Sequence, residues 1–387
     1  MTRLLVISNG LGEDSIGAEL ARRLPKDVTV EAYPTLGAGH AYEGICPIVG
    51  PRAQLPSEGS RVGAGTIIRD VAGGLFGTIR PALKFLRGAR SGYGDVVVIG
   101  DFVGVAACWL SGIRNVVWLD VYHSGHGRTY HGIEKAIARR TCRIVFCRHA
   151  DLAASLVAAG IDARAAGNVM MDTIPSGLYP ADQRRLRLQA VTLLPGSRRS
   201  AAENFALQVE AITRLPPDLR PDIFVAVADG LDPEELGKAT GMFVHPPSRN
   251  DGVDLGRLSG RGLHINLARG ALGDLLELSD VVLSQAGTAT IQSIGLGKPV
   301  ISFVRDTDRG RRIDAVNRLY GEARETVPPD AAALAAALQR LLLDRNERER
   351  RGAIGRERIG GPGALAQIVS VLSAPEVTPP VGAPASA

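Results

Sequence analysis

The chain has 387 residues, 45% hydrophobic and 22% charged, with 45 Lys and Arg against 40 Asp and Glu and a net charge of +5. Those values suit an ordinary globular protein long enough for two domains, and they exclude a low-complexity or fibrous chain. Aromatic residues make up only 4% with no basic–aromatic patch, which argues against a nucleic-acid binder; the mild basic excess permits phosphate-bearing ligands or an anionic membrane surface without requiring either.

Cys46, Cys108, Cys142 and Cys147 have no CxxC spacing, and three of them sit in apolar runs, so buried free thiols in a reducing compartment are expected. The apolar part of MTRLLVISNG is too short for a secretory signal, and no run approaches the roughly 18 apolar residues of a membrane span. A cytoplasmic protein is expected, with any membrane contact peripheral.

Strand candidates in the first half are RLLVIS (3–8), VTVEAYP (28–34), DVVVIGD (95–101), NVVWLDV (115–121) and CRIVFC (142–147). Continuous Val/Ile runs of this kind fit parallel strands covered on both faces. Helical stretches such as SIGAELARRL (15–24) and HGIEKAIARR (131–140) alternate with them, which predicts a doubly wound α/β sheet. The segment GLYPADQRRLRLQA (177–190) breaks the rhythm, and the pattern restarts at VTLLPGS (191–197). A helix over 201–215, strands DIFVAVA (222–228) and GLHINLA (262–268), and helical AAALAAALQRLLL (331–343) follow. Between the last two lies SDVVLSQAGTATIQSIGLGKPVISF (279–303), which reads as strand, tight turn, helix and strand. We therefore expect an α/β protein of two Rossmann-like domains, 1–178 and 179–372, with a last helix able to return to the first domain. The Pro/Ala/Ser-rich tail 373–387 is expected to be disordered.

In such sheets ligands bind beyond the carboxyl ends of the strands, near helix N-termini. Three junctions carry suitable chemistry. In SNGLGEDSIGAEL (8–20), Gly10 and Gly12 beside Asn9 allow close backbone approach, and a helix is expected to start near Ser15. The GxGxxG fingerprint is missing, and Glu13 and Asp14 would repel a phosphate, so an acceptor hydroxyl or a sugar is the better guest. In LLPGSRRSAAENF (193–205), Pro195-Gly196-Ser197 forms a turn, with Arg198 and Arg199 where a phosphate would meet a helix start. In QAGTATIQS (285–293), following Gln285, Gly287 removes a side chain and the Thr288 amide and hydroxyl point at whatever occupies the helix mouth.

Asp101 ends a strand and is the first candidate for a general base, with Glu13, Asp14 and His123 behind it; a carboxylate there can equally cap the following helix. The run DVYHSGHGRTYHG (120–132) holds His123, His126 and His131 at a spacing that fits no common zinc signature. A cleft loop touching an acceptor, with His126 in contact and one histidine polarising a hydroxyl, is expected rather than a metal site. The segment 66–90 carries Arg69, Arg80, Lys84, Arg87 and Arg90 among apolar residues. It reads either as an interfacial helix on anionic lipid or as a core helix with a solvated basic face.

GLGEDSIGAEL (10–20), GNVMMD (167–172), LLPGSRRS (193–200) and AGTATIQSIGLGKPVISF (286–303), in this order along residues 5–345, together resemble lipid-A-disaccharide synthase. A more distant likeness is to the peptidoglycan N-acetylglucosaminyltransferase that makes lipid II. The resemblance implies a GT-B fold with a ligand cleft between its two domains, and metal-free inverting transfer from a UDP-sugar to a lipid or lipid-linked acceptor at the membrane's inner face. UDP-sugar is then a substrate, and no cofactor is implied. By that likeness Gly196, Ser197 and Arg198 would meet the donor diphosphate, Gly287, Thr288 and Ala289 would cradle it, and Asp101 matches the family's acid. Gln292 stands where the family has a Glu for the ribose hydroxyls, and the 120–132 loop lacks its aromatic segment. A non-hydrolysing nucleotide-sugar epimerase and a non-catalytic nucleotide-sugar or lipid-binding protein of the same fold are the alternatives.

Overall fold

A computed structural model describes residues 3–52, 75–121, 130–197, 200–305 and 316–373. The chain forms two compact units, Met1–Val169 together with the chain from Gly363, and Met170–Pro362. The first division thus falls after Val169 rather than after residue 178, and the tail beyond 373 lies outside the described residues.

In the first unit, β1 (Arg3–Ser8), β2 (Thr29–Pro34), β3 (Asp95–Gly100), β4 (Val116–Asp120), β5 (Cys142–Cys147) and β6 (Ala163–Ala165) form one parallel sheet in the order β2-β1-β3-β4-β5-β6. The Val/Ile runs are explained by burial on both faces, where successive residues alternate sides. Leu5, Ile7, Val96, Val98 and Trp118 pack on one face with Val105 and Leu152. Leu4, Val6, Val97, Ile99 and Leu119 pack on the other with Ile16, Leu20 and Leu365. Leu365 belongs to the helix Ala364–Ser373, so the end of the chain completes the core begun by its start.

The first helix spans Leu11–Arg23, four residues earlier than the Ser15 start expected from sequence. Gly10, at φ 143°, turns the chain directly out of β1, and Glu13 and Asp14 fall in the first turn, where the helix dipole favours acids. In the helix Leu75–Ala89, the described part buries Leu86 and Ala89, sets Phe85 edge-on to Tyr33 at 4.8 Å, and leaves Arg80, Lys84 and Arg87 exposed. That matches the core-helix alternative over 79–89; residues 66–74 lie outside the description.

The second unit carries β7 (Ala190–Leu194), β8 (Asp222–Ala226), β9 (Phe243–His245), β10 (Asp254–Gly260), β11 (Leu263–Ala268), β12 (Val281–Ser284), β13 (Val300–Phe303) and β14 (Arg324–Val327). Their order is β14-β13-β12-β7-β8-β11-β10-β9. All neighbours run parallel except β10, which is antiparallel to both β11 and β9 and forms an added edge. Val191, Leu193, Ile223, Val281, Leu283 and Ile301 bury one face under the helices Ala201–Thr213 and Ala331–Leu343. Among the described residues no helix is long and apolar enough to cross a membrane.

Candidate functional site

Each sheet has a point where its strand order reverses, and there the turns after two adjacent strands open a crevice at the carboxyl edge. In the first unit it falls between β1, which connects outward to β2, and β3, which leads the other way to β6. Two predicted stretches meet here. Gly10 and Gly100 both take backbone angles that favour glycine, φ 143° and 135°, and a Cβ on Gly100 would come within 3.6 Å of the Asn9 Cβ. Asn9 is fixed by the Thr35 hydroxyl, which donates to its Oδ1 at 2.9 Å and to the Ser8 carbonyl at 3.0 Å. Gly12 is exposed on the outer side of the first turn, whereas Glu13 and Asp14 are buried. The Glu13 carboxylate overlies Gly10, where a Cβ would come within 3.1 Å of Oε2.

Asp14 is only 1% exposed and sits at the end of a hydrogen-bond chain. The Tyr42 hydroxyl donates to Ser8 Oγ at 2.9 Å, and Ser8 Oγ donates to Asp14 Oδ1 at 2.6 Å. Gly17 makes room for it, since a Cβ there would lie 2.0 Å from the Tyr42 oxygen. Burial drives the Asp14 carboxyl up from 3.8 to about 6; the Ser8 hydrogen bond opposes the rise and Glu13 adds to it. Asp14 therefore serves as a buried, internally bonded acid that shapes the turn.

The folded state thus holds a proton that the unfolded chain releases. The stability from this group is complete below about pH 4 and is lost as pH rises through about 6, a difference of roughly 3 kcal/mol. Asp14→Asn keeps an acceptor for Ser8 and removes the charge. It should stabilise the protein by roughly 2–3 kcal/mol at pH 8 and much less at pH 4.5, read by urea unfolding. An equal effect at the two pH values would contradict the placement.

Asp101 immediately follows β3 and is half-buried. Its Oδ1 accepts the Val103 N–H at 3.0 Å, so it caps the helix Phe102–Leu110. The capping alternative is therefore realised, and the same carboxylate lies at the carboxyl edge of the sheet. One strand further on, Tyr130 donates to Asp120 Oδ2 at 2.5 Å, and burial pushes its phenol far above the usual range. His123 and His126 lie outside the described residues. His131 precedes the helix Gly132–Thr141, and its backbone N–H donates to Glu134 Oε2 at 2.7 Å. Among the described residues no three His, Cys, Asp or Glu side chains converge in a metal-binding group.

In the second unit the reversal lies between β7 and β12 and joins the two other predicted turns. Gly196, at φ 95°, would with a Cβ press within 3.2 Å of the Gln285 carbonyl, so the turns touch through backbone and only glycine fits. Gln285 is held by its own N–H on Leu194 O at 2.8 Å and by its side chain on Phe303 O at 2.9 Å. Ser197 is exposed beside it; Arg198 lies outside the described residues.

The helix Thr288–Gly295 starts at Gly287, which provides no side-chain cap. The backbone ladder begins with Thr290 N–H on Gly287 O, so the amides of Thr288 and Ala289 precede it. Gly287 and Thr288 are exposed and Ala289 is half-buried. Ser284 and Thr290 bond each other at 2.6 Å beneath them, and the Thr290 hydroxyl also donates to Ala286 O at 2.7 Å. The mouth of this helix is thus rigid, open and positive, as an anion requires. Gln292 is buried one turn deeper, and its amide donates to Met170 O at 2.9 Å. Its NH2 group is spent on backbone and ties residues 170–173 to the helix.

Two residues beyond the sequence reading buttress the site. Asn204 donates to Pro195 O at 2.9 Å and accepts from Arg305 Nη1 at 2.8 Å; Arg305 also lies over the Phe303 ring at 5.0 Å. The polar Asn within the apolar face of its helix was the available signal. Arg305 follows β13 without any motif.

No protein-family model and no curated protein matches the chain. Among solved structures it is similar to a UDP-N-acetylglucosamine 2-epimerase (14% identity, TM-score 0.56, covering 96% of this chain and 95% of that one). It is likewise similar to MurG of Acinetobacter baumannii (15%, TM-score 0.55, 96% and 99%) and to a Polygonum tinctorium UDP-glucosyltransferase capable of glucosylating indoxyl (13%, TM-score 0.58, 97% and 99%). At these identities the likeness concerns the fold, which is GT-B.

Proposed function

We propose that the protein is a metal-independent, inverting glycosyltransferase that moves a sugar of the N-acetylglucosamine type from a UDP-sugar to a lipid or lipid-linked acceptor, related to lipid-A-disaccharide synthase. Its place would be the inner face of the cytoplasmic membrane. The observation that supports this reading most is the β7–β12 reversal. There an uncapped helix start at Gly287–Ala289 adjoins the Gly196–Ser197 turn, which is the chemistry a diphosphate needs. The motifs that resemble those of lipid-A-disaccharide synthase occupy those same turns.

In such a transfer a base takes the acceptor hydroxyl proton as the oxygen attacks the anomeric carbon, and the bond to the nucleoside diphosphate breaks. Asp101 would take the proton; Glu13, Asp14 and His123 are the other candidates. The amides of Thr288 and Ala289, with Arg198, would stabilise the departing diphosphate. Buried Asp14 is a weaker candidate than Asp101 on exposure alone.

The test is thermal shift against UDP-, GDP- and dTDP-sugars. A UDP-sugar at 100 times its dissociation constant should stabilise the protein by about 2.7 kcal/mol. A preference for dTDP-sugars would overturn the donor assignment. The likeness in fold to a UDP-N-acetylglucosamine 2-epimerase favours a second reading of the same turns. Incubating the enzyme with UDP-N-acetylglucosamine without acceptor separates the two, since only epimerisation would yield the 2-epimer.

A further inference from the structure

The amino edge of the second sheet, opposite Gly196 and Gly287, holds two leucines out in water. Leu186 is 89% and Leu188 90% exposed, in the loop that leads into β7. The loop is pinned. The Asp222 carboxylate accepts the N–H groups of Leu186 and Arg187 at 2.7 and 2.6 Å, and the Arg185 guanidinium donates to the carbonyls of Arg187 and Leu188. Leu343, 62% exposed, ends the adjoining helix, which Gln189 joins through its bond to the Leu342 carbonyl.

Beside Leu188 opens a cavity of about 420 Å³ whose wall carries Lys298, Arg345, Arg348 and Arg356 against Asp280 and Glu349. Both carboxylates already have cations: Asp280 has Arg185 at 3.6 Å and Arg348 at 3.8 Å, and Glu349 has Arg345 at 2.7 Å. The remaining charge of the cavity is positive. Pinned apolar tips that cannot fold back, next to a basic concavity, have the chemistry of an anionic lipid interface. Acyl chains receive the leucines and a headgroup phosphate receives the cations.

We infer that this edge docks the protein onto anionic lipid, with Leu186 and Leu188 entering the boundary between headgroups and acyl chains and the Lys298–Arg345 cavity receiving a lipid phosphate. The carboxyl edge of the same sheet, with the Gly287 helix mouth, then stays on the aqueous side, where a soluble nucleotide ligand arrives. The inference rests on the membrane location proposed above, to which it adds the docking surface, and is independent of the donor assignment.

Flotation of the full chain with phosphatidylglycerol vesicles and with phosphatidylcholine vesicles tests it. Binding is expected to the former, weakening with salt, and about tenfold or more weaker in Leu186→Ser/Leu188→Ser. Arg187→Gln/Arg345→Gln should weaken it similarly. All four positions lie on the surface, so unfolding temperature and any shift with UDP should stay unchanged, which distinguishes failure here from failure of the donor reading. Equal binding to both vesicles, or binding indifferent to the leucines, would overturn the inference. So would light scattering that shows leucine-dependent self-association in place of vesicle binding.

Discussion

Asp101→Asn should lower transfer activity by about 10²–10⁴-fold while leaving the fold and donor binding intact. The variant is chosen because the proposal gives the carboxylate a second task beside the observed cap. Its Oδ1 caps the helix Phe102–Leu110 by accepting the Val103 N–H at 3.0 Å, and an Asn oxygen preserves that bond. Asp101→Ala would lose the cap as well, about 1 kcal/mol, and confound the two roles. If Asp101→Asn turns over at the wild-type rate, the carboxylate is only a cap and the base must be sought at Glu13, Asp14 or His123. If Asp101→Asn and Asp101→Ala lose activity equally while only the latter loses stability, the proton-accepting role stands.

Gly287→Asp should abolish the stabilisation by UDP-sugar, weakening binding by about 100-fold or more, and leave the unliganded protein as stable as before or slightly more so. A Cβ on Gly287 would meet nothing within 4 Å, and its φ of −91° is open to any residue, so the fold accepts the side chain. An acid at a helix start is locally favourable, by about 0.3–1 kcal/mol, because it answers the dipole that would otherwise attract the phosphates. The two effects thus have opposite signs, which a general disturbance of the fold would not produce. Calorimetric titration with UDP and scanning calorimetry of the free protein read them separately. Unchanged UDP affinity would remove the helix mouth from the donor site.

The strands that build the two reversal points were legible because β1, β3 and β12 carry unbroken apolar runs and β7 is interrupted only by Thr192, a pattern that suits a doubly covered sheet. Of the outer strands β2 was legible as VTVEAYP, whereas β6, β9, β10 and β14 were not. β10 reads DLGRLSG, rich in glycine and polar residues, and forms because β11 offers it an antiparallel partner rather than through any preference of its own. The glycines of the candidate site stood out in sequence, since Gly10, Gly196 and Gly287 punctuate strand ends. The Tyr42–Ser8–Asp14 chain did not, because Tyr42 lies 34 residues from Ser8 and nothing local marks their meeting. Gln292 shows the same limit: the resemblance suggests a ribose contact there, and nothing local in the sequence marks the Met170 carbonyl to which its amide donates.

The helix Ala364–Ser373 puts Leu365 and Ile368 into the core with Leu4, Val6 and Ile99. During synthesis that core waits for its last layer until residue 373 has left the ribosome, while Met170–Pro362, an uninterrupted stretch, has every residue of its own unit in hand. The order of assembly would then run against the order of translation, with the second unit maturing before the first. Nascent chains stalled ahead of the final helix should carry an exposed apolar sheet face that chaperones can hold. A C-terminal deletion reaching into 364–373 would damage the unit that begins the chain.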